Sequence, residues 1–326
     1  MDTPPLLEVK DLRVNFKVYG GLLKVLDGVD LVVHPGERVG LVGETGCGKT
    51  TTMKAILRIL PMPPGQIVAG QVKFKGQDVL RMNQQALQRV RGRGMSMIFQ
   101  DPTAALNPVF SVGEQLGAAI KHSGFDGRAS RRQVRQAALA ALKEVALADP
   151  ERLLDSYPVQ LSGGMRQRVC IAMALATRPE LLIADEPGTS LDVTIQDQIL
   201  RLLHNLVLDK GTSVILITHT LGVVRETTER VYVMYAGSMV ESATTRALFA
   251  QPLHPYARAL MQSVPRLSGG GVAEGIPGRI PDYLNPPPGC RFHPRCPHVM
   301  DICRQEKPPS FEVEDGHRVA CFLYKD

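Results

Sequence analysis

Gly43-Glu44-Thr45-Gly46-Cys47-Gly48-Lys49-Thr50, with Thr51 directly after it, has the spacing of a phosphate-binding loop. A strand-like apolar run, residues 38–42, leads into it, and residues 50–60 follow with a helical pattern. Glycines in the loop let successive backbone N–H groups converge on phosphate oxygens with no Cβ in the way. The following helix adds the positive end of its dipole. In that setting Lys49 reaches the β- and γ-phosphates of a nucleotide such as ATP, and Thr50 offers its hydroxyl to Mg2+.

A companion lies downstream. Residues 181–186, Leu-Leu-Ile-Ala-Asp-Glu, have the form of a buried strand ending in two carboxylates. Asp185 is placed to hold Mg2+ through water, and Glu186 to polarise the attacking water. Such a run alone also fits a capped helix start; the phosphate loop upstream favours the catalytic reading.

Around these two motifs, residues 6–243 alternate strand-like and helix-like segments, which indicates an α/β fold with a mainly parallel sheet. Residues 7–16 and 29–33 alternate as half-buried strands do, and 72–75 and 95–99 are further strand candidates. Short apolar runs at 181–184 and 214–218 suit strands covered on both faces, with helices expected at 193–208 and 221–227. A helical block at about 103–160 interrupts the alternation as an inserted subdomain. After residue 243 the chain changes character: two short helices, a Gly269-Gly270-Gly271 hinge, then a Pro-rich segment with no evident core. The expected division is therefore 1–243 and 244–326.

The 326 residues carry 44% hydrophobic side chains, enough for a packed interior, and a modest net charge of +6. Basic clusters such as 89–93 and 128–132 read as solvated faces, and with aromatics at 5% and no Trp a base-stacking surface lacks support, so no nucleic-acid partner is expected. No apolar run approaches the roughly 18–20 residues a membrane helix needs, and no N-terminal signal pattern is present, which points to the cytoplasm. Four of the six cysteines, Cys290, Cys296, Cys303 and Cys321, crowd the last 40 residues. In a reducing compartment such a cluster favours a metal site over disulfides. The intervals of five, six and seventeen residues match neither zinc ribbons nor common ferredoxins, so spacing supports only a metal site, with zinc, an iron–sulfur cluster, and reduced or disulfide-bonded cysteines as the open readings.

Leu161-Ser162-Gly163-Gly164-Met165-Arg166-Gln167-Arg168 resembles the signature of ABC ATPases and lies upstream of the Asp-Glu strand, as that family requires. The resemblance implies a P-loop NTPase with a RecA-like core, an antiparallel β part and the inserted helical subdomain. Ser162 and its two glycines make a second anion-binding helix start. ATP would then lie between Lys49 of one subunit and Ser162 of another. Gln100 matches the Q-loop glutamine that contacts Mg2+, and Ser190-Leu191-Asp192 matches the D-loop. His219 matches the switch histidine near the γ-phosphate. Tyr19 is the candidate to stack on adenine, with Phe16 a rival. Met165, Gly188 and Thr220 depart from the usual residues without removing a catalytic group.

Phe99-Gln100-Asp101-Pro102 with Ala105-Leu106-Asn107-Pro108, and Leu248-Phe249 with Pro252-Leu253-His254-Pro255-Tyr256, look like the oligopeptide/dipeptide importer branch. That branch implies a 4Fe–4S cluster on the four late cysteines, with Zn2+ as the alternative. It also implies a second ABC ATPase (identical or a paralogue), two membrane permeases and an extracytoplasmic substrate-binding protein. The chain would sit peripherally on the cytoplasmic face. Nickel, glutathione or oligosaccharide as cargo, and a soluble ABC ATPase acting on nucleic acid, are the competing expectations. A redox protein with a regulatory ATPase is the third.

Overall fold

The computed structural model of the protein describes residues 4–122, 130–189, 191–263, 275–314 and 316–325. Arg128, Ser190 and the 269–271 glycines thus lie outside the described residues. From the N-terminus come β1 (Leu7–Val18), β2 (Gly21–Val33), β3 (Arg38–Val42), α1 (Lys49–Ile56), β4 (Gly65–Phe74) and β5 (Gln77–Asp78). Next are α2 (Gln84–Val90), β6 (Met95–Ile98), α3 (Pro102–Ala105), α4 (Val112–His122), α5 (Arg131–Glu144) and α6 (Pro150–Leu154). Then follow α7 (Gly163–Ala176), β7 (Leu181–Asp185), α8 (Val193–Lys210), β8 (Ser213–Ile217) and α9 (Leu221–Thr227). The chain closes with β9 (Arg230–Tyr235), β10 (Ser238–Thr244), α10 (Thr245–Ala250), α11 (Pro255–Gln262), β11 (Phe311–Glu314) and β12 (His317–Val319).

By internal contacts the chain divides into two compact units: Met1–His34, Arg38–Leu80 and Thr218–Asp326 form the first, Pro35–Glu37 and Arg81–Ile217 the second. In the first, an antiparallel sheet runs in the order β2-β1-β4-β5. Leu7, Val9, Leu12 and Val14 of β1 are buried. Their alternation slips by one residue where the register shifts between Val9 and Leu12, with Asp11 in the left-handed region at φ 45°. A bulge restores the apolar phase and turns the strand.

The same unit contains the series β11-β12-β10-β9-β3, in which β3 and β9 are parallel and the remaining pairs antiparallel. Ala236 and Gly237 join β9 to β10 with φ 41° and 82°, a two-residue hairpin whose twist suits the strands. A side chain at Gly237 would collide with the Val25 carbonyl, so only glycine fits there. The segment after residue 243 packs on this unit. Phe292 is buried against Tyr235, Tyr256 and His254, with ring centroids 5.0, 5.5 and 5.6 Å away. The buried Glu241 carboxylate accepts from the N–H groups of Leu253 (2.9 Å) and His254 (2.7 Å) and meets His317 Nε2 at 2.8 Å. The C-terminal segment thus shares the core of the unit it docks on and does not depend on a staple alone.

The second unit holds a parallel series, β8-β7-β6. Every residue of β7 and β8 is buried, which suits unbroken apolar runs in place of alternation. Helices α3–α7 form its helical part. In α5 the buried positions Val134, Ala138, Ala141 and Leu142 fall on one stripe, and Ser130 with Gln133 closes a capping box at its start. No helix among the described residues is long and apolar enough to cross a membrane.

Candidate nucleotide site

In the first unit the loop leaves β3 and enters α1 at Lys49. Gly43 has φ 152° and a Cβ there would strike the Met234 carbonyl, while Gly46 and Gly48 take φ 83° and 108°. Lys49 is 6% exposed, and its ammonium donates to the carbonyls of Gly43 (2.7 Å) and Glu44 (3.0 Å). The cation is thereby pinned inside the loop at the start of α1, where helix dipole and charge both favour an anion. Thr50 and Thr51 are half-buried beside it, and Thr45 is exposed. Burial pushes the Cys47 thiol up, against the pull of Lys49, so this cysteine is held as a neutral packing group. Tyr19 is fully exposed in the turn between β1 and β2, and Phe16 is partly buried. His219 is exposed just before α9.

Three side chains from beyond residue 250 also hold this loop. Tyr256 Oη accepts from the Glu44 N–H at 2.8 Å, and Tyr283 Oη donates to the Gly46 carbonyl at 2.7 Å. Arg295 forks onto the Glu44 carboxylate, with Nη1–Oε2 2.8 Å and Nη2–Oε1 3.1 Å. The Gly237 N–H donates to the Cys47 carbonyl at 2.8 Å. Sequence reasoning singled out Tyr256 only within its motif and did not find Tyr283 or Arg295.

In the second unit β7 ends in Asp185, 1% exposed, and Glu186 follows in the left-handed region with φ 45°. The Glu186 N–H donates to the Ile217 carbonyl at 2.8 Å. Its Oε2 accepts from Gln100 Nε2 and from Thr189 Oγ1, both at 3.0 Å. Two sequence-selected residues, 86 positions apart, therefore meet. Thr189 was not among them, although it stands three residues on, in the turn that aims the carboxylate. Ser162 and Asp192 are helix caps: Ser162 Oγ accepts from Met165 N–H (3.3 Å) and Asp192 Oδ1 from Ile195 N–H (3.0 Å). A Cβ at Gly163 would press on Leu191 and one at Gly164 on Ile195, so the signature loop packs on the start of α8.

The four late cysteines are all free thiols. Burial raises the thiols of Cys290 (to about 11), Cys296 and Cys321, and each also feels the charge of others of the four. The Cys290 N–H donates to the Cys303 carbonyl at 2.9 Å. The four side chains are thus neighbours, while among the described residues no three are already arranged around a point that would hold a metal ion.

A family model described as ABC transporter matches residues 26–189, and relatives match over nearly the whole chain. The chain belongs to the ABC transporter family. A probable peptide ABC transporter ATP-binding protein of Sinorhizobium fredii is 49% identical over 97% of this chain and 94% of that protein. The dipeptide transport ATP-binding protein DppD of Bacillus subtilis is 45% identical over 98% and 94%. A second family model, the C-terminal region of oligopeptide/dipeptide transporters, matches residues 240–303. Among solved structures, the dimeric ATP-binding cassette MJ0796 bound to ADP and Pi is similar with a TM-score of 0.65 and 28% identity, covering 74% of this chain and 99% of that one. As an ABC-type ATPase this chain hydrolyses ATP, and the loop at Gly43–Thr50 lies within the matched cassette.

Proposed function

We propose that the protein is the ATP-hydrolysing subunit of an importer for di- and oligopeptides. The observation that carries this reading is the match of residues 240–303 to the oligopeptide/dipeptide transporter C-terminal region, on top of the cassette. On this reading residues 1–243 are the nucleotide-binding domain and 244–326 the importer-type extension. Lys49 and the backbone of residues 43–51 bind the phosphates, and Tyr19 stacks on adenine. Thr50, Gln100 and Asp185 supply hydroxyl, amide and carboxylate oxygens, the hard donors Mg2+ prefers. Glu186 takes the proton of the attacking water, and His219 stands by the γ-phosphate. Ser162, Gly163, Gly164 and Asp192 complete the site of a second ATPase subunit, identical or paralogous.

ATP closes the pair, hydrolysis reopens it, and two permeases at the cytoplasmic face convert the motion into import from a substrate-binding protein. An open groove of about 430 Å3 in the second unit supports a permease contact. Met97, Phe99, Ala105, Leu106 and Met173 line it, directly beside Gln100, and we assign it to an apolar helical segment of a permease. The four neighbouring thiols are the chemistry an iron–sulfur cluster or Zn2+ needs, and we assign the 4Fe–4S cluster to Cys290, Cys296, Cys303 and Cys321.

One preparation tests the whole. The tagged chain, purified anaerobically from a native host, should carry two integral-membrane permeases, and its ATPase rate should rise with peptide-loaded binding protein. Iron and acid-labile sulfide should appear at about four each per chain. A preparation that brings down nucleic acid and no permease would sink the importer reading; a colourless one with one zinc would replace the cluster.

A further inference from the structure

We infer that Arg295 is a positioning residue for ATP: the extension grips the phosphate loop through it, and sets the affinity of the loop for nucleotide. The inference deepens the function proposed above and rests on it.

Arg295 uses its whole guanidinium. Nε donates to the Pro277 carbonyl at 2.7 Å and Nη2 to the Ile276 carbonyl at 2.9 Å, while the two Nη atoms hold Glu44 as a fork. Its side chain is 4% exposed and that of Glu44 28%, so water competes weakly for the pair. Tyr235 meets the same guanidinium, with Oη 3.4 Å from Nη1. Tyr283 fixes Gly46 from the same segment, and its own carbonyl accepts from the Lys24 N–H at 2.8 Å. Arg291, four residues before Arg295, donates to the Ala236 carbonyl at 2.6 Å, in the turn whose Gly237 holds Cys47. Three points of one glycine-bearing loop, at 44, 46 and 47, are thus held from outside it.

A loop with left-handed backbone at Gly43, Gly46 and Gly48 has many alternatives when free. Phosphate needs one of them. Whatever fixes that conformation beforehand removes the ordering cost from binding and lowers Kd. Arg295 touches no phosphate on this account. It acts through Glu44.

The test uses the full-length chain, with ATP affinity read by equilibrium titration in Mg2+ and turnover by phosphate release. Arg295→Ala should weaken ATP binding about tenfold and raise KM by a similar factor, with kcat at saturating ATP within about twofold. Arg295→Lys should recover only part of the affinity, because an ammonium cannot make the fork. In an Arg295→Ala, Glu44→Ala pair the effects should fall well short of additive. Tyr283→Phe, which removes one hydroxyl, should cost two- to fivefold in Kd and stay folded if Arg295→Ala does not. Folded variants that bind ATP within twofold of the parent would overturn the inference, as would a loss confined to kcat. If the parent itself fails to bind ATP, the function proposal fails instead.

Discussion

His254 is 1% exposed and sits where α11 begins. Its Nδ1 accepts from the Tyr256 N–H at 3.0 Å, and its backbone N–H donates to Glu241 Oε2 at 2.7 Å. Burial, aided by the charge of Arg258, pulls the imidazole down to about 3. Between pH 6.5 and 3 the unfolded chain takes up a proton that the folded chain refuses, so stability falls as pH drops through that window. From pH 6.5 to 5 the loss attributable to His254 is about 2 kcal/mol. His254→Asn keeps a capping acceptor and removes the titration. Urea midpoints at pH 5, 6 and 7 should therefore decline more steeply for the parent than for the variant. Parallel curves would show that this imidazole does not resist protonation.

Among the elements, the starts of α7 and α8 carry two roles at once, since Ser162 and Asp192 cap their own helices and belong to the proposed shared site. The roles separate by substitution. Aspartate caps as well as serine, so Ser162→Asp should leave the melting temperature close to the parent's, whereas loss of the cap in Ser162→Ala costs about 1 kcal/mol. A carboxylate facing a phosphate repels it, so hydrolysis by Ser162→Asp should fall at least 100-fold. Unchanged turnover in a stable Ser162→Asp protein would confine Ser162 to capping. Local pattern carried much of this layer: the runs at 38–42 and 221–227 are β3 and α9, and 193–208 lies within α8. The β9–β10 hairpin escaped because its Ala236-Gly237 turn lacks Asn, Asp or Pro, and Ala236 takes a positive φ that alanine rarely adopts. β12, three residues long, is too short to show a period. Gln100 and Glu186 were legible as motif members, and the structure adds that they touch. Tyr256, Tyr283 and Arg295 reach the phosphate loop across 212, 237 and 251 residues, and no local spacing encodes such partners.

Across the whole molecule, one chain carries two helix starts, at Lys49 and at Gly163, that the proposed function assigns to phosphate. A head-to-tail pair uses each once per site, so two chains make two composite sites related by a twofold axis. Symmetry then makes a prediction that no single-chain site shares. In a Lys49→Ala homodimer neither site has its lysine, and in a Ser162→Asp homodimer neither has its serine. In the mixed dimer both lesions fall on one site, and the other joins an intact Lys49 to an intact Ser162. Random mixing of equal amounts puts half the dimers in the mixed state with one of two sites whole. Two inactive proteins should therefore regain roughly a quarter of parental ATPase on mixing, provided each folds. The measurement is phosphate release against mixing ratio, with a maximum near equal amounts. A flat, inactive curve from folded proteins that still associate, as seen by light scattering, would mean that Lys49 and Ser162 of different copies of this chain never share a nucleotide.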